Sequence, residues 1–152
     1  MTVVVRPAEP SDGRAVLELA HRLEIGVAPW RDPAAVAAAV RGWVEESLID
    51  GRTTAFVAED GGEVVGFVSV SPTEHFAGER DADVGELIVA EDAERRGVGR
   101  ALLERAESWA ADAGFRCITL TTGAANTVAR SFYAASGYAE EDVKLTKLLR
   151  DG

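Results

Sequence analysis

The chain is poor in the residues that build covalent cross-links and metal centres. Its 152 residues include one cysteine, Cys117, and two histidines. A single cysteine excludes an intrachain disulfide, and so few thiol and imidazole ligands predict no metal site. Because Cys117 lies in an apolar strand-like run, we expect a buried core thiol and not a nucleophile.

Long apolar runs are also absent. No stretch approaches the roughly 20 residues that a transmembrane helix needs. The first residues, 1–7, lack the charged start, apolar middle and cleavage site of a secretory signal. We therefore expect a cytoplasmic protein with no membrane partner, folded as one domain over residues 1–152.

Basic residues are outnumbered, with 16 Lys and Arg against 26 Asp and Glu, for a net charge of −10. This balance argues against binding to nucleic acid, whose phosphates require cationic partners. It favours a cationic small molecule or peptide amine as the partner. Against this acidic background Arg95, Arg96 and Arg100 crowd one short segment.

Apolar spacing and turn residues predict the order of the elements. Expected strands cover residues 2–6, 53–59, 63–70, 83–90, 116–122 and 138–149, the last as one bent strand or a tight pair. Expected helices cover 10–23, 34–49, 97–113 and 126–136, and residues 71–82 are expected to form a loop. The order predicts a mixed α/β (α+β) fold, with a central mixed β-sheet and helices on both faces.

A Gly- and Arg-rich turn joins the expected strand 83–90 to the next helix. Such a turn directs several backbone N–H groups at one point, where the helix dipole also favours an anion. Gly97 and Gly99 allow a phosphate to approach the backbone closely. A dinucleotide-binding fold is the competing interpretation, but the third glycine of its fingerprint is missing, and a P-loop lacks its Gly-Lys-Ser/Thr.

The helix at 126–136 places an amide and a phenol at fixed spacing. Asn126 is a good helix N-cap, Ala129 and Phe132 are expected to contact the core, and Tyr133 can act as a proton donor or simply pack. Helix packing alone accounts for each of these residues as well as a role in binding does.

Together the two segments resemble the GNAT superfamily of acyl-CoA-dependent N-acyltransferases. The family pattern Arg/Gln-x-x-Gly-x-Gly/Ala falls on residues 94–99, and Asn-x-x-Ala-x-x-Phe-Tyr-x-x-x-Gly-Phe/Tyr falls on 126–138. The element order also matches over nearly the whole chain. One position departs from the pattern: Glu94 stands where the family has Arg or Gln, which puts coenzyme affinity in question.

The resemblance implies the GNAT fold, splayed at the acyl-CoA strand, with acetyl-CoA as cofactor. It implies cofactor contacts from the expected strand at Leu87, Ile88 and Val89, from the turn at Arg95, Arg96, Gly97, Val98, Gly99 and Arg100, and from the helix at Asn126, Ala129, Phe132 and Tyr133. The Val89 N–H is expected to be the main donor to the acyl oxygen.

The resemblance also implies direct transfer of an acetyl group to a primary amine in a ternary complex, with Tyr133 as general acid. A general base is needed because such an amine is only about 1 part in 10³ neutral at pH 7. Glu86 is slightly favoured and Asp83 is the alternative; on a regular strand the two face opposite sides. A non-catalytic acyl-CoA sensor or partner-binding protein of the same fold is the alternative function.

The acceptor pocket is expected between the first helix–helix loop, the 71–82 loop and the C-terminal strand. The residues nominated to line it are Glu24, Trp30, His75, Phe76 and Glu79, together with Asp83. An aromatic group beside acids suits a cationic amine. The exposed sheet edge and the C-terminal strand leave room for a homodimer.

Overall fold

The chain folds around one five-stranded sheet in the computed structural model, which describes residues 2–151. The strands are β1 (Val3–Pro7), β2 (Thr54–Asp60), β3 (Glu63–Glu74), β4 (Arg80–Val89) and β5 (Ile118–Leu120), and they lie side by side in sequence order. The pairs from β1 to β4 are antiparallel, whereas β4 and β5 are parallel. The predicted mixed sheet is therefore confirmed.

Four helices cover the two faces of the sheet: α1 (Gly13–Leu19), α2 (Pro33–Ile49), α3 (Val98–Asp112) and α4 (Thr127–Ala135). Short 3₁₀ turns lie at Pro10–Asp12, Ala20–Glu24 and Glu91–Ala93. Val16 of α1 and Val44 of α2 pack with Phe67 and Ile88 on one face. The buried stripe of α3 packs on the other face, so helices on both faces are confirmed. Across residues 2–151 no helix has the length and apolarity to cross a membrane.

A β-bulge interrupts β4 at Gly85. Ser69 of β3 pairs with Glu86, but the next residue, Val70, pairs with Val84, which leaves Gly85 as the extra residue. Pairing with β5 covers only residues 82–84 of β4. Within residues 2–151, the C-terminal half of β4 therefore has β3 on one side and no strand on the other, which is the predicted splay.

Three expectations from the sequence are wrong in detail. Most of the expected loop at 71–82 is hairpin, because β3 runs to Glu74 and β4 begins at Arg80, leaving only a tight turn. Residues 139–151 form no strand, and four apolar side chains there are at least 59% exposed. Cys117 is half-buried at the edge of the sheet instead of in the core, since no further strand among the described residues covers β5.

Close packing of α3 on β3 depends on Gly66. A Cβ atom there would lie 2.7 Å from Leu102 Cδ1 and 3.0 Å from the Ile88 carbonyl oxygen. Gly66→Ala should lower the free energy of unfolding by about 1–3 kcal/mol, because the carbonyl cannot yield as a flexible side chain can.

Gly42→Ala is the matched control. Gly42 is exposed on α2, with no neighbour within 4 Å of the added Cβ, so this change should stabilise the protein by about 0.5–1 kcal/mol. Urea unfolding of both variants checks the pair. Equal stability of the Gly66→Ala variant and the original protein would show that α3 does not pack as described.

Candidate active site

The turn between β4 and α3 is shaped to hold an anion. Arg95 has a positive φ of 64° and Gly97 a φ of 78°. Positive φ angles at alternate residues direct successive backbone N–H groups into one concavity. Gly97 is also the N-cap of α3 and offers no side-chain hydrogen bond, so the first N–H groups of the helix remain available to a ligand. The positive φ of Arg95, which is not a glycine, costs about 1 kcal/mol of conformational energy. Backbone strain of this kind is typical of functional turns.

The side chains of this turn divide into exposed arginines and one buried anchor. Arg95, Arg96 and Arg100 are exposed, whereas Val98 is buried and anchors the turn to the core. Gly99 lies where three elements meet, since a Cβ there would be 3.5 Å from Val89 of β4 and 3.8 Å from Phe132 of α4. The turn, the end of β4 and α4 thus form one continuous surface.

The open edge of β4 presents backbone donors beside this turn. Glu86 N–H and Ala90 N–H both point towards β3, where they donate to Ser69 Oγ and the Val65 carbonyl. Since the direction of the N–H groups alternates along a strand, those of Leu87 and Val89 point to the edge without a strand. Ile88 directs its side chain into the core on the α1 face.

Helix α4 begins with a side-chain cap. Asn126 Oδ1 accepts a hydrogen bond from the Ala129 N–H at 3.1 Å, which leaves the Nδ2 donor available. The loop before α2 packs tightly on this cap, because a Cβ on Gly26 would lie 2.3 Å from Asn126 Cβ. The N-cap function expected of Asn126 is therefore present, and it fixes the direction of α4.

Tyr133 and Tyr138 stand close together but differ in their hydroxyl partners. Their rings meet edge to face, with centroids 6.0 Å apart. The Tyr138 hydroxyl donates to Glu107 Oε2 at 2.7 Å, whereas Tyr133 makes no side-chain hydrogen bond within residues 2–151. Burial raises the pKa of the Tyr133 phenol. Tyr133 therefore stays protonated at neutral pH with a hydroxyl free to donate.

Two carboxyl groups share one face of β4 because of the bulge. Val84 faces α3, so Asp83 faces the opposite side, and beyond Gly85 that side carries Glu86. Burial raises the pKa of Glu86, and the Asp83 charge adds a smaller upward contribution, while hydrogen bonds from Ser69 and Ser47 oppose them. The expectation that the two acids face opposite sides applied to a regular strand and does not hold here.

The two acids differ in access. Glu86 is 4% exposed, and both its carboxylate oxygens accept from Ser47 Oγ at 2.9 Å, with Ser69 Oγ as a further donor. Asp83 is half-buried and accepts a hydrogen bond from Thr119 Oγ1 at 2.7 Å. Burial also raises the pKa of Asp83.

Comparison with known proteins identifies this arrangement. The model of the acetyltransferase (GNAT) family matches residues 16–138. The chain belongs to the GNAT family. This family transfers acetyl groups from acetyl-CoA, which is the cofactor of this chain.

Individual relatives agree with the family. An uncharacterised N-acetyltransferase of Bacillus subtilis, YhfO, is 29% identical over 90% of both chains. The PaiA N-acetyltransferase of Thermoplasma acidophilum, solved with coenzyme A, aligns with a TM-score of 0.77 at 18% identity, covering 95% of this chain and 94% of its own. The structure of AAC(6′)-Iy with the bisubstrate analogue CoA-S-monomethyl-acetylneamine aligns with a TM-score of 0.73 at 19% identity over 99% of both.

The residues nominated for the acceptor side of this GNAT protein fall into two groups. His75, Phe76 and Glu79 lie in the tight turn between β3 and β4, with the His75 and Phe76 rings 4.3 Å apart. Glu24 and Trp30 lie before α2, where Trp30 is 47% exposed. The described contacts do not join the two groups.

The hairpin turn is already occupied by partners from this chain. His75 Nε2 lies 3.4 Å from Glu141 Oε2, and Glu79 pairs with Arg116 at 2.9 Å. Phe76 is 94% exposed. Of this group, Phe76 has the ring most accessible to a ligand.

Sequence reasoning missed several residues around the site. The serines that bind Glu86 and the threonine that binds Asp83 are far apart in the chain, so no local pattern indicates them. Glu79, Asp81 and Cys117 also come together, with one ligand atom of each within 4.8 Å of the others. Arg22, which contacts Glu94 and Val89, is likewise invisible in any motif.

Proposed function

We propose that this GNAT protein transfers an acetyl group from acetyl-CoA to a primary amine of a cationic small molecule or peptide, by direct attack in a ternary complex. The observation that carries the proposal is the edge of β4 that no described strand covers. Two backbone donors there lie beside a Gly-rich turn at a helix N-terminus and near the Tyr133 phenol, which has no hydrogen-bond partner among residues 2–151. These parts fit the acetylated coenzyme, since its phosphates, amides and thioester need an anion site, hydrogen-bonding backbone and a donor at sulfur, respectively.

In this proposal, backbone N–H groups bind acetyl-CoA more than side chains do. The N–H groups at the start of α3 receive the pyrophosphate, with Arg95 and Arg100 at hand on the surface. The Leu87 and Val89 N–H groups donate to the acetyl oxygen, where negative charge develops as the amine attacks. Acetyl-CoA supplies an acyl group activated as a thioester.

Two side chains manage protons. The Tyr133 hydroxyl donates a hydrogen bond to the departing sulfur. Because its raised pKa lies above the roughly 8.5 of a thiol, it stabilises the thiolate as a donor more readily than it gives up its proton. Asp83 receives the proton of the amine, because it is reachable while Glu86 is closed in by two serines.

A cationic acceptor suits the charge of the chain. The net charge of −10 attracts cations over long range, and Phe76 and Trp30 offer exposed aromatic faces. A homodimer and a cytoplasmic location stay predictions; light scattering of the purified protein tests the first. The edge of β5 that no described strand pairs with and the exposed apolar side chains of residues 143–149 support the dimer prediction.

The function itself is tested with a panel of amines and acetyl-CoA. Polyamines, aminoglycosides and peptide N-termini should each be assayed for release of the free CoA thiol, against a control without amine. We expect turnover with at least one cationic class, with a KM that rises with salt as the attraction is screened. Binding of acetyl-CoA without turnover on any amine would contradict the proposal and favour a sensor.

Tyr133→Phe should lower kcat by about 10²–10⁴-fold, the range for losing one positioned general acid or base. Tyr138→Phe is the matched control, because it removes a neighbouring hydroxyl that donates to Glu107. Steady-state kinetics on the accepted amine measures both. Equal turnover in the original protein and the Tyr133→Phe variant would remove Tyr133 from the chemistry.

Asp83→Asn should lower kcat/KM by about 10²–10⁴-fold and abolish the acidic limb of its pH profile. That limb should lie above the ordinary range of an aspartate, because burial raises the pKa of Asp83. Glu86→Gln is the comparison, since it removes the other carboxyl group of the same face. A profile that loses its acidic limb only in the Glu86→Gln variant would transfer the base to Glu86.

A further inference from the structure

Arg22 forms an ion pair with Glu94, the residue at which this chain departs from its family pattern. The carboxylate of Glu94, which stands at the first position of the phosphate turn, pairs with Arg22 of the Ala20–Glu24 turn. The Arg22 side chain is 15% exposed, whereas that of Glu94 is 49% exposed. A largely buried cation therefore holds an acid that would otherwise be free beside the phosphate site.

The same guanidinium also binds the end of the acyl-CoA strand. Arg22 Nε donates to the Val89 carbonyl oxygen at 3.1 Å. The carbonyl and N–H of one residue point to the same edge of a strand, so Arg22 lies at the edge to which the Val89 N–H points. One planar fork thus spans the last residue of β4 and the first residue of the phosphate turn.

The surroundings make this cation important. Arg22 lines a groove of about 510 Å³ whose wall also carries four acids, Glu18, Glu63, Glu91 and Asp92. Two of them, Glu91 and Asp92, precede Glu94 by only a few residues. Without Arg22, a phosphate on the turn would meet Glu94 uncompensated in an already acidic region.

We propose that Arg22 is a positioning residue for acetyl-CoA: it holds the Glu94 carboxylate away from the phosphate turn and fixes the Val89 carbonyl at the end of β4. The inference rests on the proposed function, in which this turn receives the pyrophosphate. Arg22 touches neither the coenzyme nor the amine in this role; it acts through Glu94 and the backbone.

Rescue by a second substitution separates this role from a general structural one. Arg22→Ala should raise the KM for acetyl-CoA and the Kd for coenzyme A about 10-fold, with kcat changing less than about 3-fold. Glu94→Gln should lower both constants modestly, because the carboxylate charge that repels phosphate is gone. The double variant should recover most of the lost affinity, since glutamine does not repel phosphate.

Two further variants complete the set. Arg22→Lys can pair with Glu94 but cannot bridge to Val89 with the same fork, so we expect an intermediate constant. Arg41→Ala removes the same charge from a pair with Glu45 on α2 and should leave both constants unchanged. Melting temperatures identify any variant that fails to fold. If Arg22→Ala does not fold, the KM and Kd of the Arg22→Lys variant test the inference in its place, and values equal to those of the original protein would overturn it.

The outcomes point in different directions. If the double variant binds coenzyme A as weakly as Arg22→Ala, repulsion by Glu94 is not the cause and the inference is overturned. It also fails if Arg22→Ala binds as well as the original protein. If the original protein itself neither binds coenzyme A nor turns over, the proposed function fails instead.

Discussion

The bulge at Gly85 is the constraint on which the site depends. One extra residue in β4 exchanges the faces of every side chain beyond it, so that Asp83 and Glu86 come to the same side. A bulge also increases local twist, and pairing with β5 stops next to it, at Val84. The open edge, the direction of the donors and the pairing of two acids all follow from this single irregularity.

The bulge is held by the residues around it. Ser69 Oγ accepts from the Glu86 N–H, a ladder position that a regular strand would satisfy with a carbonyl, and donates to the Glu86 carboxylate. Ser47 of α2 binds the same carboxylate. A buried acid satisfied by two hydroxyl groups thus links the bulge to the helical layer, which is a structural role that suits Glu86 better than proton transfer.

The second constraint is electrostatic, because the net charge of the chain and that of its coenzyme are both negative. An acidic protein that binds a coenzyme with several phosphates needs local positive potential. The N-terminus of helix α3 and Arg100 in its first turn contribute to it, while Arg22 offsets the charge of Glu94. The net charge of −10 is the basis for proposing a cationic acceptor.

Local sequence signals predicted most of the elements and the parts of the site that lie within one segment. The Gly97 turn and the Asn126–Tyr133 spacing were recognisable because the residues that share a function are close in sequence. The loop expected at 71–82 became a hairpin because cross-strand pairing overrode its polar composition. The expected C-terminal strand has no partner in the described structure, because pairing depends on another strand and not on pattern alone.

The sequence by itself determined the family, the Gly-rich turn before α3 and the helix that carries Tyr133, since each is recognisable from short-range spacing. Only the tertiary structure decided which acid is accessible, which edge is open and what balances Glu94. Those depend on a one-residue change of register and on contacts such as Arg22 with Glu94, between residues 72 positions apart. Packing brings such residues together, and no local pattern records it.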